Sequence, residues 1–398
     1  MAAPAGEMTF TRLEKVVFGP GKIVELGAEL KRRGLERAVI VTGQSLGRSQ
    51  ALQKVKAAAG GALAGVFDGA AQHVPAPTVR ALTAELERTQ ADAVISFGGG
   101  SPIDTAKVAI ASVINGRDMT LEAKALDRDS AHTALSASGG RTLAHIAVPT
   151  TLSAGEYTSG GGTTEPATRV KHGVFDPRLQ AKLIINDPEL TLETPDWLWV
   201  STGMRALDHA IEAIYSIRHQ PFIDALATKA IRLLTEHLPP SIKTSGDARM
   251  AHRGSCQTGA WLSLFGGLNT GLGISHALGH QIGPRWDVPH GVTSCITLPH
   301  AMRFVAGIAP HRFEAIAEGL GVAFDVRDPA PGALACADRV AGFITSFDVP
   351  RTLKAAGVGH NELRTVAKAV RHEIERFEVV ERAVTLDDVM RLLEAAYD

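Results

Sequence analysis

The chain has 398 residues, 45% of them hydrophobic and 21% charged, which is enough apolar mass for two or three domains. A formal net charge of −1 supplies no basic field to hold nucleic acid, and no run reaches the roughly 20 apolar residues that span a bilayer. Cys256, Cys295 and Cys336 are far apart and form no CxxC, and the N-terminus lacks the charged and apolar regions of a signal peptide, so the expectation is a globular cytoplasmic protein.

In chain order, residues 37–42 read as a short buried strand, closed by Gly43 and followed by a helical stretch over 50–59. A second strand begins at Val66 and Phe67, and Val79, Leu82 and Leu86 give 78–89 a helical period. Residues 92–97 form a third strand, which the run Gly98-Gly-Gly-Ser-Pro-Ile-Asp-Thr-Ala-Lys107 turns into a helix. Residues 142–149 and 182–186 are further strands, with a polar surface excursion and a short helix expected over 117–141. Strands separated by helices of this length predict a parallel sheet with helices on both faces. After about Thr191 the periods are helical, and Pro195, Pro221, Pro239-Pro240, Pro284, Pro299 and Pro350 are expected at helix boundaries. The reading is a Rossmann-like α/β dinucleotide-binding domain over 1–190, then an all-helical domain over 191–398, with the active site in a cleft between them.

Two turns carry chemistry in the first half. Gly98, Gly99, Gly100 and Ser101 stand where a strand feeds a helix N-terminus, an arrangement that suits a pyrophosphate. The alternative is a capped glycine turn with Ser101 as N-cap and Pro102 at N1. Thr150 and Thr151 follow the next strand at the same edge of the sheet, where they either meet a nucleotide or cap a turn. In the second half, His276 and His280 are spaced to share one helix face, Gly283 and Pro284 are expected to break that helix, and His290 opens the next element. Arg205 and His209 also share a helix face, and Asp208 and Glu212 read as ordinary solvated charges.

The runs GGGSPIDTAK at 98–107, PTTLSAGEYT at 149–158, MRALDHAIE at 204–212 and HALGHQIGPRWDVPHG at 276–291 together resemble the iron-containing (group III) alcohol dehydrogenase family, which includes the maleylacetate reductases. The resemblance implies a dinucleotide-binding α/β domain beside an all-helical domain, usually in a homodimer. It implies a pyrophosphate on Gly98, Gly99, Gly100 and Ser101, with Asp104, Thr150, Thr151 and Leu190 flanking the nucleotide and Lys171 reaching the nicotinamide ribose. It implies metal binding by His209, His276 and His290, and a place for His280 near nicotinamide and substrate.

The chain departs from that pattern at Arg205, where metal-dependent members carry an aspartate ligand and maleylacetate reductases a neutral residue. Two unit charges ~4 Å apart interact by roughly 4 kcal/mol at an effective dielectric of about 20, and a divalent ion doubles this. An inward Arg205 therefore disfavours tightly bound Fe²⁺ or Zn²⁺; swung away, it would leave three imidazoles and a water, a set zinc accepts. An inward guanidinium would instead grip a substrate carboxylate or stabilise oxyanion charge while a site histidine relays the proton. The expected reaction is NAD(P)-dependent interconversion of alcohol and carbonyl, including oxo-acids such as maleylacetate. The rivals are a three-histidine iron or zinc alcohol dehydrogenase, dehydroquinate synthase-like elimination, and a dinucleotide-binding homologue with impaired catalysis. Gly43, where an acidic residue would select against a 2′-phosphate, leaves both NAD and NADP admissible.

Overall fold

The first half forms strands β1 (Lys15–Phe18), β2 (Ala38–Val41), β3 (Leu63–Phe67), β4 (Ala93–Gly98), β5 (Ala144–Pro149), β6 (Gly160–Glu165), β7 (Val170–Phe175) and β8 (Leu183–Asn186), of which β2, β4, β5 and β8 are short, mostly aliphatic runs. The structure is a computed structural model that describes residues 7–122, 142–167, 170–265, 267–271, 273–375 and 380–398. Of the 117–141 excursion it describes a short helix, Met119–Glu122; residues 123–141 lie outside the described residues.

Six strands pair in parallel in the order β1-β8-β5-β4-β2-β3. β2, β4 and β8 are buried at every position, as expected of a parallel sheet covered on both faces. Successive side chains serve opposite faces. Ala38, Ile40, Ala93, Ile95 and Phe97 pack with helices α1 (Leu26–Arg32) and α2 (Gln50–Ala59). Val39, Val41 and Val94 pack with α3 (Ala76–Arg88) and α4 (Gly100–Asn115) on the other side.

Two elements escape the sequence reading. β1 is a four-residue edge strand with Phe18 61% exposed, too short and too mixed to show a period. β6 and β7 form an antiparallel hairpin whose Gly160-Gly-Gly162 start resembles a turn. Glycine is needed there because a Cβ on Gly161 would lie 3.1 Å from the Cβ of Lys107 and 3.4 Å from the Asp104 carbonyl. Lys107 itself is fully buried, and its Nζ donates to the carbonyls of Gly155 (2.6 Å), Thr158 (2.6 Å) and Gly160 (2.8 Å). Three converging carbonyls match the three N–H donors of an ammonium, although burial pushes the Lys107 pKa down to about 8.

Thr11–Thr194 form one compact unit; Pro195–Asp398 form a second, together with the described residues before Thr11. The latter dock on helices: Thr9 exchanges hydrogen bonds with Asn269 (2.8 and 3.0 Å), and Phe10 meets Phe222 edge-on. The second unit contains α5 (Asp196–Tyr215), α6 (Pro221–His237), α7 (Gly246–Leu264), α8 (Ile274–Trp286), α9 (His290–Ala306), α10 (Pro329–Thr345), α11 (Leu363–Glu375) and α12 (Leu386–Ala395). The chain is thus α/β first and mostly helical after.

Two prolines expected at helix ends lie inside helices. Gly283 and Pro284 do not interrupt α8, which runs on to Trp286 and ends at Asp287 in the left-handed region. Pro284 falls in the last turn, where it removes the amide that would bond to the His280 carbonyl and interrupts little else. Pro299 sits in the middle of α9, a helix buried along most of its length, so tertiary packing offsets the lost bond.

Glu156, 2% exposed, is pushed up to about 7, first by burial. Between pH about 4.5 and 7 the unfolded chain releases this proton while the native chain keeps it, so this group makes stability fall as pH rises through that window. Glu156→Gln is expected to flatten that fall, read as a smaller drop in Tm between pH about 5 and about 8.

Candidate active site

Helix α5 is buried at every position from Trp199 to Tyr215. A helix without a solvent face has nowhere to put charge, yet this one carries Arg205, Asp208, His209 and Glu212. Spacings of three and four residues set Arg205, Asp208 and Glu212 along one stripe, so they must compensate one another or be satisfied from neighbouring helices. Asp208 and Glu212 are therefore not solvated charges: their exposures are 0% and 2%.

Glu212 is satisfied by α8. It accepts from the amides of Gly273 and Ser275 (both 2.8 Å), the N-cap and first turn of that helix, and from the Tyr215 hydroxyl (2.8 Å). It thereby caps α8 from outside and places His276, whose Nδ1 lies 2.5 Å from Glu212 Oε2. Glycine at 273 is obligatory for this contact, since a Cβ there would lie 2.4 Å from the Glu212 carboxyl carbon. Asp208 Oδ2 accepts from Ser275 (2.8 Å) on α8 and Ser294 (2.6 Å) on α9.

Arg205 points inward. It is 6% exposed; its Nη1 donates to Ser294 Oγ (3.2 Å) and lies 3.7 Å from Asp208 Oδ2. Among the described residues its other guanidinium N–H groups donate no hydrogen bond, so donors remain for a ligand oxygen. Burial lowers the Arg205 pKa, opposed by Asp208, Glu212 and Glu373. Burial raises both Asp208 and Glu212, each partly restrained by the guanidinium. His209 is held well below its usual range, first by burial and then by His276 and Arg205.

The histidines fall into two neighbouring pairs. His209 and His276 have ring centroids 4.7 Å apart; His280 and His290 are 5.2 Å apart; His276 and His280 link the pairs at 6.3 Å. His209 and His276 line a small pocket with Glu212, Ser263 and Thr270. His280 is more exposed than His209 or His276, and its Nδ1 lies 2.6 Å from Glu373 Oε1 on α11. Glu373 was not legible in the sequence, because 93 residues separate it from His280. Asp208 and Glu212 did leave a signal: their helix has no polar face to put them on.

A metal held by His209, His276 and His290 does not fit this arrangement. Arg205, standing where the resemblance leads one to expect an acidic ligand, is a buried cation 3.7 Å from Asp208 that acts on His209. Asp208, Glu212 and His276 bring ligand atoms within 4.8 Å of one another, but the carboxylates already accept from backbone amides and hydroxyls, and His276 Nδ1 is engaged with Glu212.

In the α/β unit the sheet's carboxyl edge assembles the glycine turn. Gly98 has φ +139°, and a Cβ there would lie 2.9 Å from Pro102 Cγ. Helix α4 begins at Gly100 with Gly99 as N-cap, so Ser101 is not the cap and Pro102 stands at N3. Thr151 packs against Gly99, and Ser153 against Gly100, so the two sequence turns are one surface. Asp104 Oδ2 accepts from the Gly162 amide (3.1 Å), the Thr150 carbonyl accepts from Thr194 (2.8 Å), and Leu190 is buried in the sheet core. Lys171 pairs with Thr164 through the β6–β7 ladder, and its side chain lies outside what is described. Gly43 follows β2 with ordinary extended backbone, and a Cβ there would come within 3.2 Å of the Ala70 carbonyl.

A parallel sheet with a glycine turn at its carboxyl edge, followed by a helical unit holding buried histidines, defines a dehydrogenase-type architecture. The iron-containing alcohol dehydrogenase model matches residues 14–188, and the C-terminal model of the Fe-containing alcohol dehydrogenase family matches 199–397. Lactaldehyde reductase of Escherichia coli K12 is 30% identical over 392 residues, covering 96% of this chain and 98% of that protein. A maleylacetate reductase of Pseudomonas sp. P51 is 30% identical over 318 residues, covering 79% of each. The alcohol dehydrogenase of Oenococcus oeni superposes with a TM-score of 0.86 at 26% identity, covering 99% of this chain and all of that one. The chain belongs to the iron-containing alcohol dehydrogenase family and is an oxidoreductase.

Gly291 lets the first turn of α9 lie on α5: a Cβ there would sit 2.4 Å from the Ser201 carbonyl oxygen. Gly291→Ala is expected to cost about 1–3 kcal/mol through overpacking against backbone, measured by denaturant unfolding.

Proposed function

We propose that this chain interconverts an alcohol and a carbonyl with NAD(P) as hydride carrier and without a resident metal, Arg205 providing the positive charge at the reacting oxygen. The observation that carries this is the buried guanidinium, fixed by Ser294 and Asp208, with N–H donors unused. In the oxidising direction the substrate hydroxyl gives its proton to His280, carbon gives hydride to the nicotinamide, and the oxygen's transient charge is met by Arg205. The α/β unit's role is to hold the dinucleotide on Gly98–Ser101, with Asp104, Thr150, Thr151 and Lys171 as the proposed flanking contacts.

A second reading, that the substrate is an oxo-acid, is favoured by the same unused donors and by the maleylacetate reductase relative. Against it, three carboxylates, Asp208, Glu212 and Glu373, already act on the one guanidinium. The neutral carbonyl is the better match to this balance.

Protein stripped with EDTA is expected to contain far less than one equivalent of metal and to retain its NADH- or NADPH-dependent turnover of aldehydes. Activity that needs stoichiometric iron or zinc would refute the metal-free assignment. Arg205→Ala is expected to lower kcat by about 10²–10³. A rise in KM confined to acidic substrates, with kcat intact, would favour the oxo-acid instead.

Gly43 places no acidic side chain against a 2′-phosphate. Gly43→Asp is expected to weaken NADPH more than NADH by at least tenfold, with Gly43→Ala as the control for crowding against Ala70. Equal effects of Gly43→Asp on the two cofactors in fluorescence titration would overturn this.

A further inference from the structure

Glu373 also stands directly against one of the histidines. Glu373 comes from α11, an amphipathic helix of the C-terminal region, and meets α8 at two successive residues: Oε1 lies 2.6 Å from His280 Nδ1, and Oε2 accepts from Gln281 Nε2 at 2.9 Å. Glu373 is 19% exposed at its side chain and His280 23%, so the contact is only partly open to water. Holding both carboxylate oxygens on one helix fixes the plane of the carboxylate, and with it the ring it faces. A carboxylate at Nδ1 selects the tautomer that carries its proton there, which leaves Nε2 as the ring's lone-pair nitrogen. Two imidazoles also lie near the ring, His276 at 6.3 Å and His290 at 5.2 Å between centroids.

We propose that Glu373 is a positioning residue for His280: it fixes the ring's orientation and its Nδ1–H tautomer, so that Nε2 receives the substrate's hydroxyl proton. The inference rests on the assignment of the proton relay to His280. In the oxidising step the O–H bond breaks to Nε2, hydride leaves carbon for the nicotinamide, and the carbonyl forms; Glu373 exchanges no atom and faces the imidazolium's Nδ1–H throughout.

The test is a double-mutant cycle on the full chain with saturating dinucleotide. Glu373→Ala is expected to lower kcat by about 10–100-fold with KM within about threefold, the range found when a partner that orients a functional histidine is removed. Glu373→Gln keeps the volume but offers one oxygen to two donors, and is expected to fall in the same direction if the alanine variant fails to fold. If Glu373 acts through His280, then His280→Ala and the double variant Glu373→Ala/His280→Ala have the same kcat. A double variant that loses the product of the two single effects overturns the inference, as does a Glu373→Ala enzyme with unchanged kcat beside a crippled His280→Ala. Full activity in His280→Ala would instead overturn the proton-relay assignment. Dinucleotide affinity, measured in parallel, is expected to stay unchanged in every variant.

Discussion

The site depends on one buried charge cluster, the Arg205 guanidinium held among Asp208, Glu212 and Ser294 inside the helical unit. Neither charge type is tolerable there alone. An unpaired buried ion costs several kcal/mol even after relaxation, and breaking a buried pair costs about 3–5 kcal/mol because the survivor is stranded. Arg205 cannot neutralise itself, so the carboxylates must stay close. They do so through bonds that also fix the architecture: Glu212 caps α8, and Asp208 gathers one serine from α8 and one from α9. Charge compensation and helix packing are thus the same set of contacts.

This arrangement explains how a chain of an iron-containing family can carry a cation where metal-dependent relatives are expected to carry an aspartate. A guanidinium fixed beside two carboxylates supplies local positive charge without coordination. The neighbouring carboxylates are taken up by amides and hydroxyls, and an ion among the imidazoles would sit beside a like charge. A divalent metal beside this guanidinium would meet repulsion where an aspartate would attract it.

The α/β unit rests on a different constraint, the satisfaction of one buried ammonium. Lys107 lies in the run that continues the glycine turn into α4, and it ties that helix to the carbonyls of Gly155, Thr158 and Gly160. The segment it gathers begins with Thr150 and Thr151, which pack beside Gly98 and Gly99. Two turns distant in sequence are thereby held as one surface at the sheet's edge, by a residue that contributes no part of that surface itself.

Sequence by itself determined the alternation of strand and helix, because β2, β4 and β8 are predominantly apolar runs and because 3.6-residue periods persist after Thr191. It also determined which helix faces carry His209, His276 and His280 and where Gly98 forces a turn, since these depend on local spacing and on φ. Only the tertiary structure decided the rest. β1 and the β6–β7 hairpin become strands through pairing partners, and α8 and α9 run through prolines because packing outweighs a lost bond. The burial of Asp208 and Glu212, the external capping of α8, and the reach of Glu373 to His280 all depend on helices brought together across tens of residues. Local sequence fixes the direction of a side chain on its own helix; its surroundings, and hence whether a carboxylate there is solvated or functional, are set by the elements that pack against it.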